Sequence, residues 1–281
     1  MQVHVCGVRG STPSPGSAFA GVGGHTSCVA LAHDGALPTL VLDAGTGLRR
    51  LTEVMAGSPF RGTILLGHLH WDHTQGLPFF AAGDRPDARV RLMLPDQEGG
   101  SPEEILERWM SPPFFPIPPN LLRGDWSFGL IGEGERELEG FTVLAREIPH
   151  KGGRTFGFRV SDGASSIAYL SDHCPTAFGP GPDGLGDLHS AALELAAGVD
   201  VLIHDAQLTT SELAECSYRG HSSADYAVAL GASAGARRVL LFHHDPERTD
   251  EQVVEIVDAV RRCAQMPVEA AVEGTVVDVG V

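Results

Sequence analysis

Lysine is nearly absent: Lys151 is the only one among 20 basic residues, and 36 acidic residues leave a net charge of −16. A chain this acidic repels polyphosphate, which disfavours a broad nucleic-acid groove or a footprint on anionic membrane unless a local basic patch overrides the total. Cys6, Cys28, Cys174, Cys216 and Cys263 form no CxxC pair, so neither a disulfide framework nor a zinc ribbon is indicated, and a reducing cytoplasm fits. No apolar run approaches the roughly 18 residues of a membrane span. The opening MQVHVCGVRGS also lacks the basic-then-apolar order of a signal peptide, so a soluble, unprocessed, cytoplasmic protein is expected.

What the chain does have is an ordinary globular composition, 42% hydrophobic over 281 residues, enough for one α/β domain spanning 1–281 with a sizeable core. Short β-rich runs recur at 2–6, 27–32, 39–43, 63–67, 89–94, 142–148, 155–160, 166–171, 199–204, 238–242 and 275–279. Apolar spacings of three and four predict helices over Leu48–Met55, Pro102–Met110, Leu188–Ala197, Ser222–Ala234 and Asp250–Ala264. Strands first, then strands alternating with helices, argue for sheets covered by helices rather than a bundle or an all-β sandwich. Residues 95–135 stand apart. They are rich in proline and carry Trp109, Phe114, Phe115 and Trp126, and they are read as an insertion over the site.

The chemistry concentrates at GTILLGHLHWDH, residues 62–73, where an apolar strand runs into His68, His70, Asp72 and His73. Alternation puts His68 and His70 on one side of an extended chain, and a turn at Trp71 brings Asp72 and His73 round to a neighbouring position. Three later strands end in the same way, at His150, at Asp172 and at His243 with His244. A histidine ending one strand is usually structural. Several such ends in one chain make convergence on one site the economical reading. Imidazole and carboxylate together suit zinc, manganese or iron better than calcium or magnesium. Seven ligands are too many for one tetrahedral ion, whereas two divalent ions about 3.5–4 Å apart would use them all and generate a hydroxide nucleophile at neutral pH.

With HLHWDH in view, the sequence resembles the metallo-β-lactamase fold superfamily. Within it, the chain is similar to the phosphodiesterase branch that holds ribonuclease Z and the phosphoribosyl cyclic phosphodiesterases. The resemblance runs through GVRGSTPSPG, LVLDAGTGLRRL, EIPHKGGRTFGFRV, AYLSDHCP, VLIHDAQLT, RGHSSA and VLLFHHDPERTD. It implies a four-layer αββα sandwich with the site between the sheets. It places His68, His70 and His150 on one metal, Asp72, His73 and His243 on the other, and Asp172 between them. His243 is preferred to His244 because the related motif sets its ligand three residues before a proline, here Pro246. The resemblance also gives Asp72 the task of orienting or deprotonating the attacking water.

The resemblance to the phosphodiesterase branch also gives His221, in RGHSSA, the task of protonating the leaving oxygen, a general acid step, with Ser222 expected to cap the following helix. Arg9, Lys151 and Arg154 are candidate phosphate clamps, and Asp205 is expected to orient a ligand histidine through its second nitrogen. His4, His33 and His189 are assigned no function. The leading expectation is a binuclear hydrolase that cleaves a small or cyclic phosphodiester by attack of metal-bound hydroxide. The lack of the basic arm with which ribonuclease Z grips tRNA argues against nucleic acid as a partner. By analogy with the family the chain would pair as a homodimer. The competing readings are hydrolysis of a carboxylic ester, thioester or lactone, tRNA 3′-end cleavage, and a non-catalytic metal-binding scaffold.

Overall fold

The computed structural model describes residues 1–97 and 99–280. Among these residues two seven-stranded sheets lie face to face. The first contains β1 (Gln2–Gly7), β2 (Cys28–Ala32), β3 (Leu40–Leu42), β4 (Arg61–Leu65), β5 (Arg89–Pro95) and β6 (Asp125–Ile131), in that order, with β14 (Val276–Asp278) outside β1. The second runs from β7 (Gly134–Leu138) through β8 (Phe141–Glu147), β9 (Phe156–Ser161), β10 (Ser166–Leu170), β11 (Val201–Asp205) and β12 (Val239–Phe242) to β13 (Val268–Ala270).

Alternation along the strands builds the layers. Val29 and Leu31 of β2 join Phe141, Val143, Phe158 and Val160 of the second sheet in one core, while Cys28 and Ala30 turn to the opposite face. That outer face is covered by α1 (Leu48–Val54) and α3 (Pro102–Glu107) through Leu48, Leu51, Ile105 and Leu106. Against the second sheet lie α4 (Ser190–Ala196), α6 (Ala224–Ala234) and α7 (Asp250–Arg261), which bury Leu195, Leu230 and Val257. This is the αββα sandwich.

Strand direction decides where chemistry can collect. β3 to β6 are mutually parallel, and so are β10 to β13. β1 and β8 share the directions of β3 and β10, because each is separated from it by one antiparallel neighbour. The carboxyl ends of β1, β3 and β4 therefore face the same way, as do those of β8, β10, β11 and β12. The two sets are stitched together where Gly10 N–H donates to the His244 carbonyl (3.0 Å) and His244 N–H to the Val8 carbonyl (2.9 Å).

Several elements differ from the sequence reading, the short strands β7 and β13 among them, which no apolar run announced. The end of the 95–135 segment is not an excursion: Asp125–Ile131 pairs in parallel with β5 as the sheet edge, and the chain then passes into β7. α5 (Thr210–Cys216) was not expected, because its apolar positions are few, yet a capping box between Thr209 and Glu212 starts it. Ser223, not Ser222, caps α6, accepting from Tyr226 N–H, while Ser222 Oγ donates to the His173 carbonyl. Among the described residues no helix is long and apolar enough to cross a membrane.

Candidate metal centre

The carboxyl end of β4 leads through Leu66 and Gly67 to His68 and His70, and α2 (Trp71–Thr74) then turns Asp72 and His73 inward. His150 follows β8 through Ile148 and Pro149, Asp172 follows β10, and His243 follows β12. These residues gather into two groups of potential ligands: His68, His70, His150 and Asp172 in one, Asp72, His73, Asp172 and His243 in the other. Each group draws two residues from each sheet.

Asp172 belongs to both and divides its oxygens between them. Its Oδ2 lies 3.5 Å from His68 Nε2 and 3.3 Å from His150 Nε2, and its Oδ1 lies 3.0 Å from His73 Nε2 and 3.1 Å from His243 Nε2. Asp72 Oδ2 completes the second group at 3.3 Å from His73 Nε2 and 3.2 Å from His243 Nε2. His68 Nε2, His73 Nε2 and Asp172 Oδ2 are buried and make no hydrogen bond among the described residues. Three unpartnered atoms at the meeting point of the two groups fit a pair of divalent cations, and the mixed N/O donor set fits zinc or manganese.

Other atoms set the histidine tautomers. His73 Nδ1 lies 2.8 Å from Asp43 Oδ2, and His150 Nδ1 lies 2.8 Å from the Gly220 carbonyl, so each donates there and turns the lone pair of Nε2 toward the group. The electrostatics have the same origin. Burial opposes ionisation of Asp172, but the facing His243, His73 and His68 hold its carboxyl well below the usual range. Burial likewise opposes charge on His243, yet Asp172 and the bond to Asp72 raise it to about 9. The facing carboxylates, Asp172 foremost, likewise push His73 up against its burial.

His221 stands beside this cluster, its ring 5.0 Å from that of His243 and 5.2 Å from that of His150. Its Nδ1 is 2.9 Å from Asp205 Oδ2. The histidine that Asp205 orients is thus His221 rather than a metal-group histidine. The Asp205 carboxylate also accepts from the His173 and Gln207 amides.

His244 points away, with Nε2 3.2 Å from the Ala271 carbonyl, while Asp72 and Asp172 face His243. Arg9 is not a phosphate clamp. It is fully buried, and its guanidinium holds the carbonyls of Gly23 (2.7 Å), Asp245 (3.1 Å) and Arg248 (2.7 Å) and lies 3.6 Å from Asp250. Lys151 Nζ is engaged by the Tyr218 carbonyl, and Arg154 by Glu147 at 2.9 Å and 3.0 Å, so neither presents a free cation to the centre. Arg154 nevertheless lines a hollow of about 560 Å³ with Gln97 and Arg108.

Sequence reasoning passed over Asp43 and the histidines His173 and His204. Asp43 was findable, since LVLD is another apolar strand that ends in a carboxylate. The Trp109, Phe114 and Phe115 side chains lie with Phe79 around a separate hollow of about 520 Å³ that also touches Gln75 and Arg49.

Paired ligand groups at the joined ends of two sheets in an αββα sandwich define a hydrolase of the metallo-β-lactamase kind. A family profile described as the Beta-lactamase superfamily domain matches residues 39–244, and the chain belongs to that superfamily. The chain is 26% identical over 260 residues to the ribonuclease Z of Salinibacter ruber, a match covering 78% of this chain and 79% of that protein. It is 29% identical over 124 residues to the ribonuclease Z of Aeropyrum pernix, where the match spans 44% of this chain and only 33% of the relative. Among solved structures, the metallo-beta-lactamase fold protein YhfI of Bacillus subtilis superposes with a TM-score of 0.73 at 16% identity, covering 99% of both chains.

Proposed function

We propose that the protein is a binuclear phosphodiesterase acting on a small or cyclic phosphodiester. The observation that carries this reading is the division of the two Asp172 oxygens between the ligand groups, with the Asp205–His221 pair alongside at 2.9 Å. Two divalent cations held there would supply Lewis acidity, a lowered pKa for water, and charge neutralisation at phosphoryl oxygens.

The rest falls to the chain's own side chains. Asp72 Oδ2 accepts from Ser11 N–H at 2.6 Å, which fixes the carboxylate that would orient the attacking water and take its proton. His221 donates Nδ1–H to Asp205, leaving Nε2 to carry a proton to the departing oxygen, while the buried carboxylate stabilises the imidazolium. A scaffold that only bound metal would have no use for that pair. The net charge of −16, and guanidinium and ammonium groups already engaged near the centre, favour a small substrate over a folded RNA.

Turnover of bis(4-nitrophenyl) phosphate with zinc or manganese, set against a panel of carboxylic esters, thioesters and lactones, tests the reading. Phosphodiester cleavage is expected, and His221→Ala should lower kcat about 10²–10⁴-fold for a diester with an alkyl leaving group, and much less for the 4-nitrophenyl diester, with metal content unchanged. Activity confined to carbonyl esters, or two bound metals with no turnover, would overturn it. The likeness to the Salinibacter ribonuclease Z raises tRNA end processing as a second reading, which requires tRNA binding that weakens steeply with salt.

A further inference from the structure

Five non-glycine residues among those described take a positive φ, and three of them stand at this centre: Asp43 (61°), His243 (58°) and Ser11 (62°). Asp43 orients His73, and His243 belongs to the second ligand group, so both of those conformations serve a task. Ser11 follows Gly10, and a second glycine would take φ 62° without steric cost. A side chain kept in that conformation calls for a reason.

Two hydrogen bonds fix Ser11. Its N–H donates to Asp72 Oδ2 at 2.6 Å, and its Oγ accepts from Gln207 Nε2 at 3.0 Å. Gln207 is buried and anchored along its backbone, its N–H on Asp205 Oδ1 (3.0 Å) and its carbonyl on Arg248 Nη2 (3.1 Å). The other Asp205 oxygen holds His221. One carboxylate therefore sets His221 and, through Gln207, the serine hydroxyl.

The hydroxyl lies beside the second ligand group. A Cβ on Gly10 would meet the His243 ring at 2.5 Å and Gln207 Nε2 at 3.0 Å, so the amide approaches Ser11 along the His243 side of the chain. By covalent geometry Oγ lies within about 4 Å of its own nitrogen, and so within roughly 7 Å of Asp72 Oδ2. Asp72, His73, His243 and Gln207 are buried, whereas Ser11 is exposed, so the hydrogen-bonded set opens to solvent at this residue. The Oγ already accepts, and its own proton has no acceptor among the described residues.

We propose that Ser11 is a substrate-binding residue whose hydroxyl donates to a non-bridging oxygen of the phosphodiester at the second ligand group. Such an oxygen is anionic, and a charge-assisted O–H···O bond to it is short and strong. The proposal rests on the phosphodiesterase reading above. It supplies a contact to the phosphoryl group that Arg9, Lys151 and Arg154, all engaged elsewhere, do not make.

Ser11→Gly isolates the hydroxyl, because glycine keeps the N–H on Asp72 and suits φ 62° better. In the zinc-loaded enzyme it should lower kcat/KM about 10–100-fold for alkyl and 4-nitrophenyl diesters alike, since the non-bridging oxygen is present whatever group leaves. Metal content should match that of the parent protein. The unfolding midpoint of the metal-free protein should stay within about 3 °C, relief of strain offsetting a freer unfolded chain. Gln207→Met should lower kcat/KM less on its own, and should add nothing once Ser11→Gly is in place.

Inorganic phosphate titrated calorimetrically into the zinc-loaded protein gives a readout without turnover, and Ser11→Gly should weaken its binding about tenfold. Unchanged turnover and unchanged phosphate affinity overturn the assignment. A loss of activity that tracks loss of the second metal also overturns it, since Ser11 would then only brace Asp72. Should the parent enzyme cleave no diester, the phosphodiesterase reading fails, and the titration still decides for Ser11: weaker phosphate binding by the glycine variant upholds the contact, and equal binding removes it.

Discussion

Asp43 and His73 are joined by a 2.8 Å hydrogen bond inside the protein, Nδ1 to Oδ2, and that carboxylate also accepts from Tyr169 Oη (2.8 Å) and, through Oδ1, from Gly67 N–H (2.7 Å). One side chain therefore fixes the tautomer of His73 and ties it to both sheets. Asp43 sits at φ 61°, a conformation asparagine also tolerates. Asp43→Asn should keep the fold and lower affinity for the second metal about 10–100-fold. Competitive chelator titration would measure this, and an unchanged affinity would show that Asp43 is only a structural contact.

Gly10 gives a way to disturb one ligand group alone. A Cβ there would sit 2.5 Å from the His243 ring. Gly10→Ala should displace His243 and empty the group it shares with Asp72 and His73, while His68, His70 and His150 keep theirs. The metal-to-protein ratio should fall from two toward one. If both metals are retained at full affinity, the ring has room to move and His243 is not tightly placed.

Arg9 is expected to act on stability. Arg9→Met would leave three carbonyls without their donor and Asp250 without its cation, a loss of about 3 kcal/mol or more. Denaturant unfolding should show the fall, and KM of the surviving folded enzyme should change little. A large rise in KM with unaltered stability would restore Arg9 as a substrate contact.

Metal uptake should depend on pH with a definite sign. In the metal-free protein the carboxylates raise His243 to about 9, so below that pH a cation must displace its proton. Apparent affinity should rise as pH climbs from 6 to 9 and level off above. The linkage for folding runs the opposite way. The folded value lies above the unfolded one, near 6.5, so the stabilisation is complete below about pH 6.5 and fades as pH passes 9. Proton release on zinc binding, measured in buffers of different ionisation enthalpy, checks the first statement, and thermal melts of the metal-free protein check the second.

Most of the strands, and the positions of the residues now found together, were legible because an apolar run ending in a ligand is a local pattern. Once several such runs lie parallel, their ends meet. What could not be read was set by contacts between distant segments. Asp205 chooses His221 over a metal-group histidine because residues 205 and 221 meet across the β11–α6 connection. Arg9 looked like a free cation because its partners, Asp245, Arg248 and Asp250, lie far along the chain. His173, His189 and His204 have no shared motif at all, and their end-to-end order exists only in the folded protein. The strand at 125–131 was hidden by the proline-rich stretch before it, which masks a run that pairs well once β5 is beside it.

Because each ligand group takes half of its members from either sheet, neither half of the chain can hold a cation in this way by itself. Capture of a cation there would have to wait until the two halves have docked, and would then clamp them together. Metal-dependent reactivity would thereby be confined to completed molecules, and a nascent or misassembled chain would carry its histidines without a centre to arm them.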